Sequence, residues 1–228
     1  QDLEIQRLIA SMSPRRFKER HLGIPVAPSG AVYTEDYSPM RTSADAVFDV
    51  NTPVAVWIDP GYVGAYAVLV IQQHRGSETG ATLDVIDELY LRGKTSSDTI
   101  ALCQARPWWA NVRDGVIDIA GTQHHHEGRP AVQQWRDAGV HLRYRKVGKQ
   151  AGIDRVMSVL RAAPGDQYIP YLRINPACRG LLGELGAGPA LFKDAGPYRY
   201  KTDRNSGEAT SDVPVDRDNH ASSALAYG

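Results

Sequence analysis

Cysteine is scarce, with two residues, Cys103 and Cys178, in a chain of 228. They lie far apart and near no histidine pair at zinc spacing. A disulfide framework and a Cys–His zinc site are therefore not encoded, and the pair reads as two buried thiols in a reducing compartment. An excess of charge is also missing, since 26 basic residues face 26 acidic ones. Net charge thus gives no argument for a nucleic-acid or membrane partner, and only local clusters can. No apolar run is long enough to span a bilayer, and no signal-peptide pattern is seen. Internal repeats and low-complexity stretches are lacking. So is a complete G-x-x-x-x-G-K-[ST] motif. Gly93-Lys94-Thr95 has the right ending, but Glu88 stands where the upstream glycine should be, and Gly148-Lys149 lacks both that glycine and the hydroxyl. Nothing in the chain points to ATP binding of the P-loop kind.

What is present suffices for one sizeable core, at 42% hydrophobic residues. Residues 1–50 do not pattern as a domain. Leu3 to Met12 has helical spacing, and Ser13-Pro14 opens a basic helical stretch, Arg15-Arg16-Phe17-Lys18-Glu19-Arg20. His21 to Pro53, rich in Gly, Pro, Ser and Thr, reads as an extended connector packed on a neighbouring surface. The chain opens on Gln1 and closes on Gly228 within a helical pattern, which suggests a segment of a longer polypeptide.

From residue 54 the pattern changes. Strands are predicted at 54–58, 65–73 and 82–91, the first two as a hairpin and the third antiparallel to them. Gly93 to Asp98 ends the third strand and caps a helix, with Ile100, Leu102, Cys103 and Trp108 or Trp109 inward. Then follow a strand at 115–119, a helix at 127–138 stopped by Gly139, a strand at 140–144, a helix at 152–162, a strand at 168–174 and a helix near 176–185. Residues 198–215 read as a polar hairpin turning at Asn205-Ser206-Gly207, and a helix from Asp218 or Asn219 to Tyr227 closes the chain. Three antiparallel strands followed by helix-alternating strands predict a mixed sheet with helices on both faces.

Three acidic clusters sit at comparable places in this pattern. Asp59 ends the apolar run Val54-Ala55-Val56-Trp57-Ile58 and precedes Pro60-Gly61. A carboxylate there is costly unless paired, and a hard divalent cation suits it. A turn-forming Asp is the commoner case for an isolated Asp-Pro-Gly. Asp118 ends the fourth strand, and Asp216-Arg217-Asp218-Asn219-His220 opens the last helix. Neighbouring strand tips gather ligands. If that helix packs near them, carboxylates and an imidazole converge, a set able to hold two divalent ions about 3.5–4 Å apart for phosphodiester hydrolysis. One of Asp218 and Asn219 is expected to cap the helix.

Arg143, Arg145, Lys146, Lys149 and Arg155 concentrate positive charge on one strand–loop–helix segment, and Lys201 and Arg204 lie on the hairpin. These fit sequence-independent phosphate contacts. His124-His125-His126 cannot easily direct three adjacent side chains at one ion and reads as a polar loop. Thr122 has no evident base to activate it.

As an ordered set these segments resemble the nuclease domain of the large terminase subunit of tailed bacteriophages, which has the ribonuclease H/retroviral integrase fold. Pro14 to Pro25 with Ser29 to Tyr33 resembles the linker from the packaging ATPase to the nuclease. Trp57-Ile58-Asp59-Pro60-Gly61 and Ile117-Asp118-Ile119-Ala120-Gly121 resemble the two metal-ligand strands, and Ile86 to Tyr90 with Gly93-Lys94-Thr95 the third strand and its turn. Ile174-Asn175-Pro176-Ala177-Cys178 with Glu184-Leu185 looks like the start of a family helix. Asp218 to Tyr227 is similar to the closing Asp-His-x-x-Asp-Ala-Leu-Arg-Tyr motif, with Asn219 and Ser223 where aspartates are common.

The resemblance implies a connector (1–50) from an ATPase domain of the same chain and a nuclease domain (51–228). The expected activity is endonuclease cleavage of double-stranded concatemeric viral DNA during packaging, with two Mg²⁺ or Mn²⁺ ions. Asp59 would bridge the ions, Asp118 would hold one, and His220 with Asp216 or Asp218 the other. Expected partners are DNA, the small terminase subunit and the portal, in the host cytoplasm and transiently at the procapsid portal, with no membrane. Two other readings remain: another enzyme of this fold, such as a transposase, integrase or resolvase, or a docking module for DNA or portal that has lost its metals.

Overall fold

The computed structural model describes residues 30–33, 36–61, 64–75, 80–122, 129–202 and 209–228. The linker segment Pro14–Pro25, Ser29, the histidine run at 124–126, Arg204 and the Asn205-Ser206-Gly207 turn lie outside them.

The β-branched run of β1 (Val54–Asp59) alternates between buried and half-buried positions and is extended for that reason. It pairs antiparallel with β2 (Ala65–Arg75), which pairs antiparallel with β3 (Ala81–Arg92). On the other side of β1 lie β4 (Val112–Asp118) and then β5 (Leu142–Arg145), both parallel. Strand β6 (Tyr171–Ile174) joins the far edge, parallel to β3. The six strands run in the order β5-β4-β1-β2-β3-β6. This is the expected mixed sheet. Ala65 to Gln72 of β2 are all buried because both faces of the sheet are covered.

One face carries α1 (Ser96–Gln104) and α2 (Ala131–Asp137), whose Ile100, Cys103 and Trp135 pack with Val56, Ile58, Val68 and Ile117. The other carries α3 (Lys149–Arg161), α4 (Arg179–Glu184) and α5 (His220–Tyr227), packed on Ala67, Leu69, Leu83, Leu172 and Ile174. The hairpin is a separate two-stranded sheet of β7 (Tyr200–Thr202) and β8 (Ala209–Pro214). Ahead of β1, Phe48 packs on the α1/α2 face, and the segment around Val32 and Tyr33 lies on the α3/β6 side. Val32 and Tyr33 enter that core, and Arg41 donates to Leu172 O and Ala162 O while stacking on the Tyr171 ring.

Several boundaries differ from the sequence reading. Leu102 is 42% exposed and faces outward, and Trp108 is the inward tryptophan of its pair, bonded through Nε1 to Asp87. Strand β6 begins three residues after the expected 168, because the Asp166 carboxylate accepts from the backbone of Tyr168 and Ile169 and holds a turn there. Helix α3 begins earlier than expected, at Lys149, with Gly148 as its N-cap. Helix α4 begins only at Arg179, because the Asn175 side chain accepts from Ala177 N and makes a turn of Pro176-Ala177. The expected cap of the last helix is also replaced. Asn219 occupies the N-cap position without a side-chain capping bond, and Asp218 turns away in a left-handed conformation, φ 55°.

Candidate metal centre

Strands β1 and β4 run parallel with Ile58 opposite Ile117. Asp59 and Asp118 each lie one residue further on, so their carboxylates emerge side by side at the C-terminal edge of the sheet. Asp118 is fixed at its base by its own turn, Oδ1 accepting from Ala120 N at 2.6 Å. Asp59 is covered by α5, which presents both its first and its last residue to it. His220 Nδ1 lies 2.9 Å from Asp59 Oδ2, and Tyr227 donates its hydroxyl to Asp59 Oδ1 at 3.3 Å. The same hydroxyl lies within hydrogen-bonding reach of Asp118. The imidazole has room because Gly64 lacks a side chain. A β-carbon at that position would overlap Nε2 and Cε1 of His220.

Small residues bring α5 this close. Ala221, Ser222, Ala224 and Ala226 are all buried, and the bare Cα of Gly152 on α3 faces Ala226.

The charges of the site are strained by burial. Burial raises the Asp59 pKa, the charge on Asp118 raises it further, and the bond and charge of His220 only partly offset this. Burial would lower the His220 pKa, but its bond to Asp59 and the charges of Asp59, Glu184 and Asp218 carry it above its ordinary value. Burial beside both aspartates drives the Tyr227 phenol strongly upward, so it stays a donor. The Asp118 charge disfavours ionisation of Asp59, and two carboxylates so placed form a hard-oxygen pair suited to a divalent cation.

The remaining expected ligands do not join them. Asp216 is 80% exposed and pairs with Lys149 at 3.1 Å, and Asp218 is buried against Arg217 at 3.4 Å. An Asp216–His220 pair on one helical face does not form, because α5 begins at His220. Among the described residues no three His, Cys, Asp or Glu side chains enclose an ion by themselves.

Of the expected phosphate contacts, Arg143 is exposed on β5 beside Asp114, and Lys146 is exposed just beyond it. The backbone of Arg145 pairs with that of Asp118. Lys149 pairs with Asp216, Lys201 is exposed on β7, and Arg155 is turned inward to Ala226 O at 2.5 Å.

The sequence reading gave no role in the site to Tyr227, seen only as the end of the closing motif, to Gly64, or to Glu184, seen only within a helix and placed by the fold behind the site. The Glu184 carboxylate accepts from Ala221 N at 3.0 Å and Ser222 N at 2.7 Å, replacing the expected local cap. Only a long-range contact sets it there, and no spacing in the sequence signals it.

No protein-family profile matches the chain, and no curated protein matches it in sequence. Solved structures do. The large terminase of a thermophilic bacteriophage, in complex with ADP, superposes with a TM-score of 0.69 at 15% identity, over 100% of this chain and 51% of that one. A second structure of the same terminase gives 0.67 at 16% identity, over 97% and 50%. The P22 large terminase nuclease domain gives 0.52 at 14% identity, over 85% and 92%. The chain thus has the ribonuclease H-like fold of phage terminase nucleases, and it spans about half the length of the thermophilic phage terminase.

Proposed function

We propose that this domain is a divalent-metal-dependent endonuclease that cuts double-stranded DNA during viral genome packaging. The observation that carries this reading is the pairing of Asp59 and Asp118 on adjacent parallel strand tips under a helix that brings His220 to Asp59. The same fold in terminases of two phages supports it.

Asp59 and Asp118 would hold the metal, with His220 beside them; Asp216 or Asp218 would become a further ligand by leaving its ion pair with Lys149 or Arg217. Bound there, a divalent ion or a pair of them would make hydroxide available from water near neutral pH and offset charge on the leaving 3′ oxygen. The chain itself does the positioning. The Ala120 N–H fixes Asp118, and Tyr227 and His220 fix the two oxygens of Asp59.

The DNA backbone would lie along the β5 edge, where Arg143, Arg145, Lys146 and Lys149 follow the tip of β4, with Lys201 and Arg204 on the hairpin. Contacts of this kind are independent of sequence. An ATPase domain of the same chain, a small terminase subunit and the portal are the proposed partners, in the host cytoplasm and at the procapsid portal.

A second reading, a docking module without metal, is favoured by one observation: both oxygens of Asp59 already have protein partners. Cleavage of supercoiled plasmid with EDTA, Mg²⁺ or Mn²⁺, beside Asp59→Asn, separates the two. Metal-dependent nicking lost in the variant is the expected result. Cleavage unchanged in Asp59→Asn overturns the assignment of the site, and no cleavage with either metal moves the weight to docking.

A further inference from the structure

Helix α5 has a cap supplied by another helix. Its first amides lack partners within the helix, as at any helix start, and Asn219 gives no side-chain capping bond. Glu184, the last residue of α4 and 3% exposed, fills the gap. Oε1 takes Ala221 N at 3.0 Å and Oε2 takes Ser222 N at 2.7 Å, while the Tyr90 hydroxyl donates to Oε1 at 2.7 Å. A carboxylate at a helix N-terminus is favoured by both the free N–H groups and the helix dipole.

Glu184 is itself held in place by a second capping carboxyl group. Glu88 on β3 accepts from Gly180 N and Leu181 N, each at 2.7 Å, and so anchors the start of α4. The chain of contacts runs from the sheet through Glu88 to α4, through Glu184 to α5, and through His220 and Tyr227 to Asp59. The turn into α5 is strained at Asp218, a non-glycine residue at φ 55°. Such a conformation persists only where its surroundings over-determine it, and the grip of Glu184 a few residues later does so.

We propose that Glu184 is a positioning residue for the reaction: it sets the start of α5 and thereby holds His220 and Tyr227 against Asp59. The inference rests on the nuclease reading for its consequence in catalysis, but not for its geometry. Glu184 lies behind the site and touches neither Asp59 nor Asp118. It acts only through α5.

The test compares Glu184→Gln with Thr95→Ala. The latter removes the N-cap of α1 on the opposite face of the sheet, where Thr95 and Asp98 form a capping box. Both variants lose a helix cap, and only one loses the cap of α5. Single-turnover plasmid cleavage is measured at saturating Mn²⁺, well below the melting midpoint of each protein. Glu184→Gln is expected to cut ~10- to 100-fold more slowly with unchanged DNA affinity, because small misplacements of site groups cost this much. Thr95→Ala is expected to cut at the wild-type rate. Equal rates for both variants overturn the proposal.

A crystal structure of Glu184→Gln gives a second, activity-free readout. Separation of His220 from Asp59 is expected, and retention of their hydrogen bond overturns the proposal even if the wild-type protein cuts no DNA. A wild type without cleavage counts against the nuclease reading alone. If Glu184→Gln does not fold, Glu184→Asp keeps the charge but shortens the reach. An unchanged cleavage rate in folded Glu184→Asp would overturn the proposal equally.

Discussion

His220 Nδ1 lies 2.9 Å from Asp59 Oδ2, and the opposite edge of the same ring fills the place where a side chain at Gly64 would stand. Gly64→Ala should therefore push the imidazole off Asp59 while leaving the sheet intact. Overpacking of this kind costs about 1–3 kcal/mol, so the variant should stay folded by circular dichroism. Its cleavage rate should fall on the order of tenfold or more, as expected for a misplaced site group. Full activity in a folded Gly64→Ala protein would show that the position of His220 is immaterial.

Asp59→Asn and Asp118→Asn should abolish cutting without unfolding the domain. Burial and the neighbouring Asp118 already disfavour the Asp59 charge, so a neutral amide removes an unfavourable charge in metal-free protein. Thermal melting checks this: the metal-free midpoint of Asp59→Asn should not drop by more than a few degrees. Mn²⁺ should raise the wild-type midpoint by mass action and leave that of the variant unmoved.

Asp216 and Asp218 are expected to separate on the same assay. Asp216 is 80% exposed on Lys149, whereas Asp218 is buried at the start of α5. Asn tolerates the left-handed backbone found at residue 218, so Asp218→Asn removes charge without new strain. It should weaken the Mn²⁺-dependent rise in melting point, and Asp216→Asn should not. The reverse order would reassign the third ligand.

Glu88 gives a dependence of stability on pH. Burial pushes its carboxyl from 4.5 up to about 8, against the lowering effect of its two backbone bonds. Between those values the folded protein keeps a proton that the unfolded chain has released. Stability from this group is thus present below the lower value and lost as pH rises through the higher one. Melting midpoints should fall from about pH 5 to about pH 9, and Glu88→Gln should flatten the slope. A variant with the wild-type slope would remove Glu88 as the cause.

Neutralising Arg143 and Lys146 should weaken DNA binding and lower its salt slope by about 0.9 for each phosphate that is no longer neutralised. Both are exposed, Arg143 on β5 beside Asp114 and Lys146 just beyond the end of β5. Filter binding across a salt series checks this, and an unchanged slope would place the DNA elsewhere.

The strands were legible because their signal is local. Val54 to Ile58 and Thr82 to Leu91 alternate or run apolar between turn residues, and the Thr95–Asp98 cap could be read from its spacing. Asp59 and Asp118 stood out for the same reason, as carboxylates ending apolar runs. The charge cluster near residue 145 read as one surface, yet Arg155 within it turns inward to a helix carbonyl. Side-chain direction depends on what packs alongside, and spacing does not record that. The N-cap position of the last helix was legible, since Asn219 occupies it, but its capping bonds were not, because a carboxylate arriving from α4 took the amides.

The sequence by itself thus determined the order of elements, the mixed sheet and the two aspartates that end its strands, since hydrophobic period and turn chemistry act over a few residues. The tertiary structure alone decided that β4 lies beside β1, that His220 meets Asp59 across the space left by Gly64, and that Glu184 anchors the helix carrying both His220 and Tyr227. These are contacts between distant segments, fixed by packing over the whole core, and no local pattern encodes them.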